Sequence, residues 1–226
     1  MPRCAIALAI LSIASAAAAR TEDRDVPDFN AVNVASGIRA NVEIGSRKRV
    51  RIEADDDILQ LVETRVEDGA LNIGFKPHRS WSGERRVSVT IQTPQLRAIG
   101  ASGGSIVRAT FTRADQSAIE ASGGSQVRAS GVDARQLSLQ GSGGSVLDVQ
   151  GRADSLGLQM SGGTQLHGRD LSVKDVDVQA SGGSEAELRA SGNLRGSLSG
   201  GSEVHVRGGA RTRVSTSGGS SVEVED

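Results

Sequence analysis

A chain of 226 residues with 29 glycines, three phenylalanines, one tryptophan and no tyrosine cannot fill a core with large rings, so its interior must be thin and aliphatic. Its 26 basic and 27 acidic residues are scattered and leave a formal net charge of −1, which excludes the standing positive field of a nucleic-acid binder.

The chain opens as an export signal: Arg3 precedes an apolar run from Ala5 to Ile13, which passes into the small residues Ala14 to Ala19 before the charged stretch Arg20 to Asp25. Cleavage is expected after Ala19, making residues 1–19 a signal peptide. Cys4 precedes the apolar run, so it is not the acylated cysteine of a lipoprotein and is expected to leave with the peptide. The mature chain then has no thiol, and disulfides and cysteine catalysis drop out. No second apolar run of about 18 residues follows, so no transmembrane segment is expected. Residues 20–28 read as a flexible linker.

From residue 29 to about 99 the sequence is rich in strand signals but irregular. Ile38, Ala40, Val42 and Ile44 alternate with other residues, as do Val50 with Ile52, and Leu71, Ile73 and Phe75. Asp68-Gly69 marks a turn. This stretch is expected to form atypical coils that cap a repeat array.

Beyond residue 100 self-similarity takes over. Ser-Gly-Gly begins at Ser102, Ser122, Ser142, Ser161, Ser181, Ser199 and Ser217, at intervals of 20, 20, 19, 20, 18 and 18 residues. The glycines are Gly103 and Gly104, Gly123 and Gly124, Gly143 and Gly144, Gly162 and Gly163, Gly182 and Gly183, Gly200 and Gly201, and Gly218 and Gly219. Each pair is followed by Ser or Thr, which makes a tight corner where glycine takes positive φ without a Cβ clash. Five residues after each first serine stand Val107, Val127, Leu147, Leu166, Ala186, Val204 and Val222, an inward column. The next column, Arg108, Arg128, Asp148, His167, Glu187, His205 and Glu223, is polar and points outward. Coils this short hold no helix, so the spacing predicts an all-β parallel β-helix, a β-solenoid with 18–20-residue coils, continuous over residues 29–226. Six intervals at about 4.8 Å span roughly 29 Å. An antiparallel sandwich is the competing fold, but it gives no reason for identical corners at fixed spacing. Glu223 and Glu225 stand beside the last edge, where charge deters stacking.

The opening run Phe29 to Val34, the segment Asp68 to Ile73, the segment Val89 to Leu96 and the Ala-Ser-Gly-Gly-Ser corners together resemble the family of auto-transporter adhesin head domains of the GIN type, over about Phe29 to Asp226. The resemblance implies a right-handed β-helix and an envelope location, periplasmic or at the cell surface. It supplies no catalytic residues.

Carbohydrate-active enzymes also use β-helices, and such chemistry needs acids converging on one face. Asp148 lies between Arg128 and His167, and Asp175 and Asp177 lie ahead of the following corner, but no paired-carboxylate cleft can be assembled. His167, Glu187 and His205 share one outward column, yet the outer two are about 9.6 Å apart at the backbone, wide for zinc. A surface ladder is the plainer reading, and no metal, cofactor or catalytic residue is assigned. The corners also lack the acidic nonapeptide with which other solenoids bind calcium. Two candidate ligand-binding features stand out. Arg169, Arg189 and Arg207 stack two columns on, a row able to grip an anionic polymer or else to pair with acids across coils. The loop from Lys76 holds His78, Arg79, Arg85 and Arg86 around Trp81, an indole able to pack on a sugar ring or simply to pin the loop. No phosphate loop or nucleophile elbow is present, and none of the three histidines repeats with the corner serines. The expected function is non-enzymatic binding of an envelope glycan, cell-wall polymer or protein through a repetitive face. A carbohydrate-active enzyme and a structural spacer are the alternatives.

Overall fold

The computed structural model describes residues 20–76 and 86–225. The expected signal peptide, Cys4 included, and the loop residues His78, Arg79, Trp81 and Arg85 lie outside them. Strands dominate. The first part of the chain contains β1 (Arg20–Arg24), β2 (Ala31–Val34), β3 (Arg39–Ile44), β4 (Arg49–Ala54), the single turn of helix α1 (Asp56–Leu59), β5 (Val62–Glu67), β6 (Ala70–Phe75) and β7 (Ser88–Thr93). The repeat region contains β8 (Ala98–Ala101), β9 (Ile106–Thr110), β10 (Ala114–Ala121), β11 (Gln126–Gly141), β12 (Val146–Met160), β13 (Gln165–Ala180), β14 (Glu185–Ala190), β15 (Asn193–Leu198), β16 (Glu203–Arg207), β17 (Arg211–Thr216) and β18 (Ser221–Glu225).

Each rung of the solenoid is an incoming strand, a Ser-Gly-Gly corner and an outgoing strand. The strand that enters one corner pairs in parallel with the strand that enters the next, as in Ile119 with Leu139 and Leu139 with Leu158. The outgoing strands do the same: Val107, Val127, Leu147, Leu166, Ala186, Val204 and Val222 follow one another in register. These columns form the core, and Leu139, Leu147, Leu158 and Leu166 are fully buried. Strands β11, β12 and β13 run from one corner to the next, and their inward alternation slips at points such as Ser130-Gly131 and Arg135-Gln136, where the coil bends. The β-solenoid read from the spacing is therefore the observed fold.

The corners lock the rungs together. Both glycines of each are at positive φ, for example 63° and 72° at Gly143 and Gly144. The second glycine donates its N–H to the first glycine of the next rung, at 3.0 Å from Gly124 to Gly143 and 2.9 Å from Gly144 to Gly162. Up to Ser202 the serine or threonine that completes the corner is buried, and its hydroxyl donates to the carbonyl of the first serine, as Ser125 does to Ser122 at 2.6 Å, whereas the half-buried Ser220 accepts from the Ser202 N–H. Ser145 instead reaches Ala121 of the neighbouring rung at 3.0 Å. The buried corner hydroxyls are thus satisfied, by their own turn or by the neighbouring rung.

The N-terminal region departs from a simple succession of coils. β2 and β3 form a true rung beside β8 and β9, but the rung beyond it is β6 and β7, which come later in the chain. Antiparallel strands then close the stack: β5 on β6, β4 on β7, and β1 on β4. Asp68 and Gly69, at φ 50° and 74°, make the β5–β6 turn that the sequence marks. Residues 20–28, read from sequence as a flexible linker, must be corrected: Arg20–Arg24 is a strand. Its charges match those of β4, with Arg51 Nε donating to Asp23 at 2.9 Å, so a charged edge strand ends the sheet where an apolar one would invite further pairing. One corner was also missed. Ala35-Ser36-Gly37 stands where later rungs have Ser-Gly-Gly, with Ser36 itself at φ 65° and Ser102 donating its N–H to Val34 as later corners do to theirs.

The corner geometry separates the two glycines experimentally. A Cβ on Gly143 would stand 3.2 Å from the backbone nitrogen of Gly123, whereas one on Gly144 would meet nothing within 4 Å. Gly144→Ala is expected to cost only the left-handed backbone penalty, about 1–2 kcal/mol, and Gly143→Ala measurably more, read from urea midpoints. Ser117 occupies a core position whose neighbour in the next rung is Leu137, and its buried hydroxyl has no partner. Ser117→Ala is therefore expected to leave the thermal midpoint unchanged or raised.

Candidate functional site

Because rungs stack in register, each outward position becomes a column along the axis, and the columns differ in how they use their polar groups. On the outgoing face Asn41, Arg108, Arg128, Asp148, His167, Glu187, His205 and Glu223 follow one another. Most of this charge is spent within the face. Arg128 Nε donates to Asp148 at 2.9 Å, Arg169 grips both oxygens of Glu187 at 2.5 and 2.6 Å, and His205 Nδ1 lies 2.9 Å from Glu223. The hydrogen bonds from Arg169 hold the Glu187 carboxyl below its ordinary range against partial desolvation, with the charges of Arg169, His167 and His205 adding to the effect. Asp133 and Asp175 are lowered in the same sense, chiefly by hydrogen bonds from Arg152 and from Asn193.

The arginine row needs correction. Arg189 is in register with Arg207, but the ladder shifts between Gly168 and Ser172, so Arg189 stands opposite Ser172 rather than Arg169. All three arginines still border one depression of about 470 Å³, together with Glu187, His205, Glu223 and Glu225. Arg169 is consumed by Glu187 and Arg207 by Glu225, the latter at 2.9 Å. Among the described residues only Arg189 of the three has no ion-pair or hydrogen-bond partner. The column His167, Glu187 and His205 is in register as expected, but Arg169 and Glu223 engage Glu187 and His205. No group of three or more His, Cys, Asp or Glu among the described residues is arranged to hold a metal ion. Asp148 sits on the outgoing face, while Asp175 and Asp177 sit on the incoming face, where Asp175 accepts from Asn193 Nδ2 at 2.7 Å. Of the tryptophan loop, Arg86 is described, exposed just ahead of β7.

A longer groove lies on the incoming face, along a column the sequence reading passed over. Two residues before successive corner serines stand Gly100, Glu120, Gln140, Gln159, Gln179 and Ser197, and the column continues in register through Asn33 to Asn72 at the cap end. Seven steps of about 4.8 Å give a length of about 34 Å. These residues and the corner serines line a groove of about 910 Å³, with Glu63, Arg65 and Glu67 of β5 at the cap end. The asparagines are engaged: Asn33 Nδ2 donates to Asn72 at 2.9 Å, and Asn72 Nδ2 to the Ala70 carbonyl at 3.2 Å. Gln140, Gln159 and Gln179 are exposed, and among the described residues nothing hydrogen-bonds to their amides. Glu120 likewise has no cation beside it. Where the outgoing face neutralises itself, this face leaves a row of donors and acceptors unspent. The same alignment on the corner serines would have revealed it, since Glu120, Gln140, Gln159 and Gln179 recur at one offset.

The family model described as "Putative auto-transporter adhesin, head GIN domain" matches residues 28–210. Among solved structures, the chain is similar to a putative adhesin from Bacteroides fragilis, with a TM-score of 0.83 and 19% identity over 93% of this chain and 97% of that one. It is similar to a putative lipid binding protein from Parabacteroides distasonis, with a TM-score of 0.70 and 15% identity over 91% and 96% of the two chains. A putative adhesin from Parabacteroides merdae is similar with a TM-score of 0.66 and 19% identity over 91% and 95%. At these identities the likeness is one of fold. No protein of curated function matches the chain in sequence.

The Arg169–Glu187 pair sets a pH dependence of known sign. A carboxyl lowered in the folded state contributes its stability above the ordinary carboxylate value, near 4.3, and loses it as pH falls through the lowered one. The Glu187 side chain is 22% exposed and that of Arg169 64%, so solvent screens the pair and its contribution is small. Glu187→Gln is expected to destabilise slightly at pH 6, with the gap to the unaltered protein narrowing as pH falls below the ordinary carboxylate range in urea melts.

Proposed function

Because this chain belongs to the putative auto-transporter adhesin head GIN domain family, we propose that it is an exported, non-enzymatic, adhesion-type protein of the bacterial cell envelope that grips a macromolecule along its incoming face. Support for export comes from the Arg3 head, the apolar run to Ile13 and the alanine tract ending at Ala19. Among the described residues no helix is long and apolar enough to cross a membrane.

The observation that carries the binding role is the column of unspent amides at Gln140, Gln159 and Gln179 inside a groove that runs along the stack. A repetitive row of this kind suits a long partner better than a compact one, because each rung adds the same contact. A lipid partner, the ligand class in the name of the Parabacteroides distasonis neighbour, is less favoured. The large apolar side chains exposed among the described residues are Ile44 and Val224, and neither lines the groove. The carboxylates weighed for catalysis, Asp148 and Asp175, each accept a hydrogen bond from a neighbouring rung, which favours scaffold over chemistry.

Retention of the purified mature chain on isolated cell envelopes tests this reading. Replacing Gln140, Gln159 and Gln179 together by Ala is expected to weaken retention about tenfold or more, the sum of three modest hydrogen bonds. Arg128→Ala, on the outgoing face, is expected to leave it unchanged. Equal retention of both variants would overturn the reading.

A further inference from the structure

We infer that the occupant of the groove is an uncharged, extended, β-linked glycan lying along the stacking axis with about one sugar unit per rung. This inference rests on the binding role proposed above and adds the chemistry of the ligand.

Period is the first constraint. Equivalent amides recur at each rung, about 4.8 Å apart, so a ligand uses them all only if its own polar groups recur at a similar step. An extended peptide laid along the axis repeats its same-side groups at about 6.8 Å, twice its rise per residue, and falls out of phase at the first step. An extended β-linked pyranose chain advances by about one ring per unit, a length comparable to one rung, and although successive β-1,4-linked rings are turned over, every ring carries hydroxyls on both edges, so one faces the column at each rung.

Hydrogen-bond character is the second. Each glutamine offers an N–H₂ donor and a carbonyl acceptor, and each corner serine a hydroxyl that does both. A sugar hydroxyl is also both donor and acceptor, so it satisfies the two ends of an amide. Phosphate and carboxylate groups only accept and would leave each Oε1 unpaired, which costs affinity once water is excluded.

Charge is the third. Gln140, Gln159 and Gln179, with Ser142, Ser161 and Ser181, line three successive rungs of the groove with neutral groups, and Asp177, two residues before Gln179 on the same face, places a carboxylate beside the third. The nearest charge in the column is Glu120, which has no cation beside it and repels a polyanion. Shape agrees over the first rungs, since the next outward column toward the sheet interior reads Ala98, Ala118, Ser138 and Gly157 in register, a floor low enough for rings to lie flat, before it turns to Asp177 and Arg195.

The test is calorimetric titration of the mature chain with neutral β-1,4-linked glucose oligomers of two to eight units, beside polygalacturonate and an uncharged extended peptide. The inference expects affinity to rise with each unit until the groove is spanned, at about seven, with little dependence on salt. It also expects a loss of tenfold or more in the triple Gln→Ala variant and of less in Gln159→Asn, both checked for intact folding by circular dichroism. Tight binding of polygalacturonate that falls steeply with salt and is lost on Arg189→Ala would overturn it. So would peptide binding, or no binding of any neutral oligomer. If in these cases envelope retention still depends on the three glutamines, the binding role stands and only the ligand class is wrong; if retention is also independent of them, both fall.

Discussion

Close approach of one glycine corner to the next is the contact on which the rest of this molecule depends. The first glycine of each corner lies so near its counterpart that an added Cβ would stand 3.0 to 3.3 Å from a backbone nitrogen, and the second glycine bonds to the rung below. A Cβ at the first glycine crowds the backbone of the neighbouring corner, and the positive φ of both positions suits glycine. The corners therefore fix both the bend within a rung and the register between rungs. Inward aliphatic columns, outward polar columns and the groove all inherit that register.

The same register has opposite consequences on the two faces. Where adjacent rungs carry opposite charges, stacking brings them within reach, and the face closes on itself through pairs such as Arg128 with Asp148 and Arg169 with Glu187. These exposed pairs add little stability, but they remove donors and acceptors from the surface. Where adjacent rungs carry the same neutral amide, stacking offers no such release. Gln140, Gln159 and Gln179 stay open to a partner, and a surface that repeats one unspent group at a fixed step is a template for a polymer that repeats as well.

Much of this was legible from the chain alone. Seven Ser-Gly-Gly corners and the alternation on either side gave the coil, the inward columns and the outward column from Arg108 to Glu223, because local spacing encodes them directly. The order of the first rungs was not legible. That β6 and β7 lie outside β2 and β3 depends on pairing between segments far apart in sequence, and the Ser36-Gly37 corner is separated from its fellows by the cap strands inserted between them. Arg20–Arg24 reads as solvated charge until the complementary charges of β4 are placed beside it. The arginine row failed for a simpler reason. Counting from the corner holds for the first few outgoing residues, but the ladder shifts between Gly168 and Ser172, and Arg169 drops out of line. The amide column was written in the same alignment, and was passed over because exposed glutamines read as ordinary solvated surface.

Vertical register at the amide column is the claim nearest the root of the account, and engineered disulfides measure it directly. In a chain with Cys4→Ser, Gln140→Cys and Gln159→Cys occupy facing positions on adjacent rungs, within the Cα separation a disulfide spans, while Gln140→Cys and Gln179→Cys are two rungs, about 9.6 Å, apart. Mild oxidation is expected to crosslink the first pair within the folded protein and to leave the second reduced. Crosslinking of the second pair in preference to the first would contradict the stacked register and the groove built upon it.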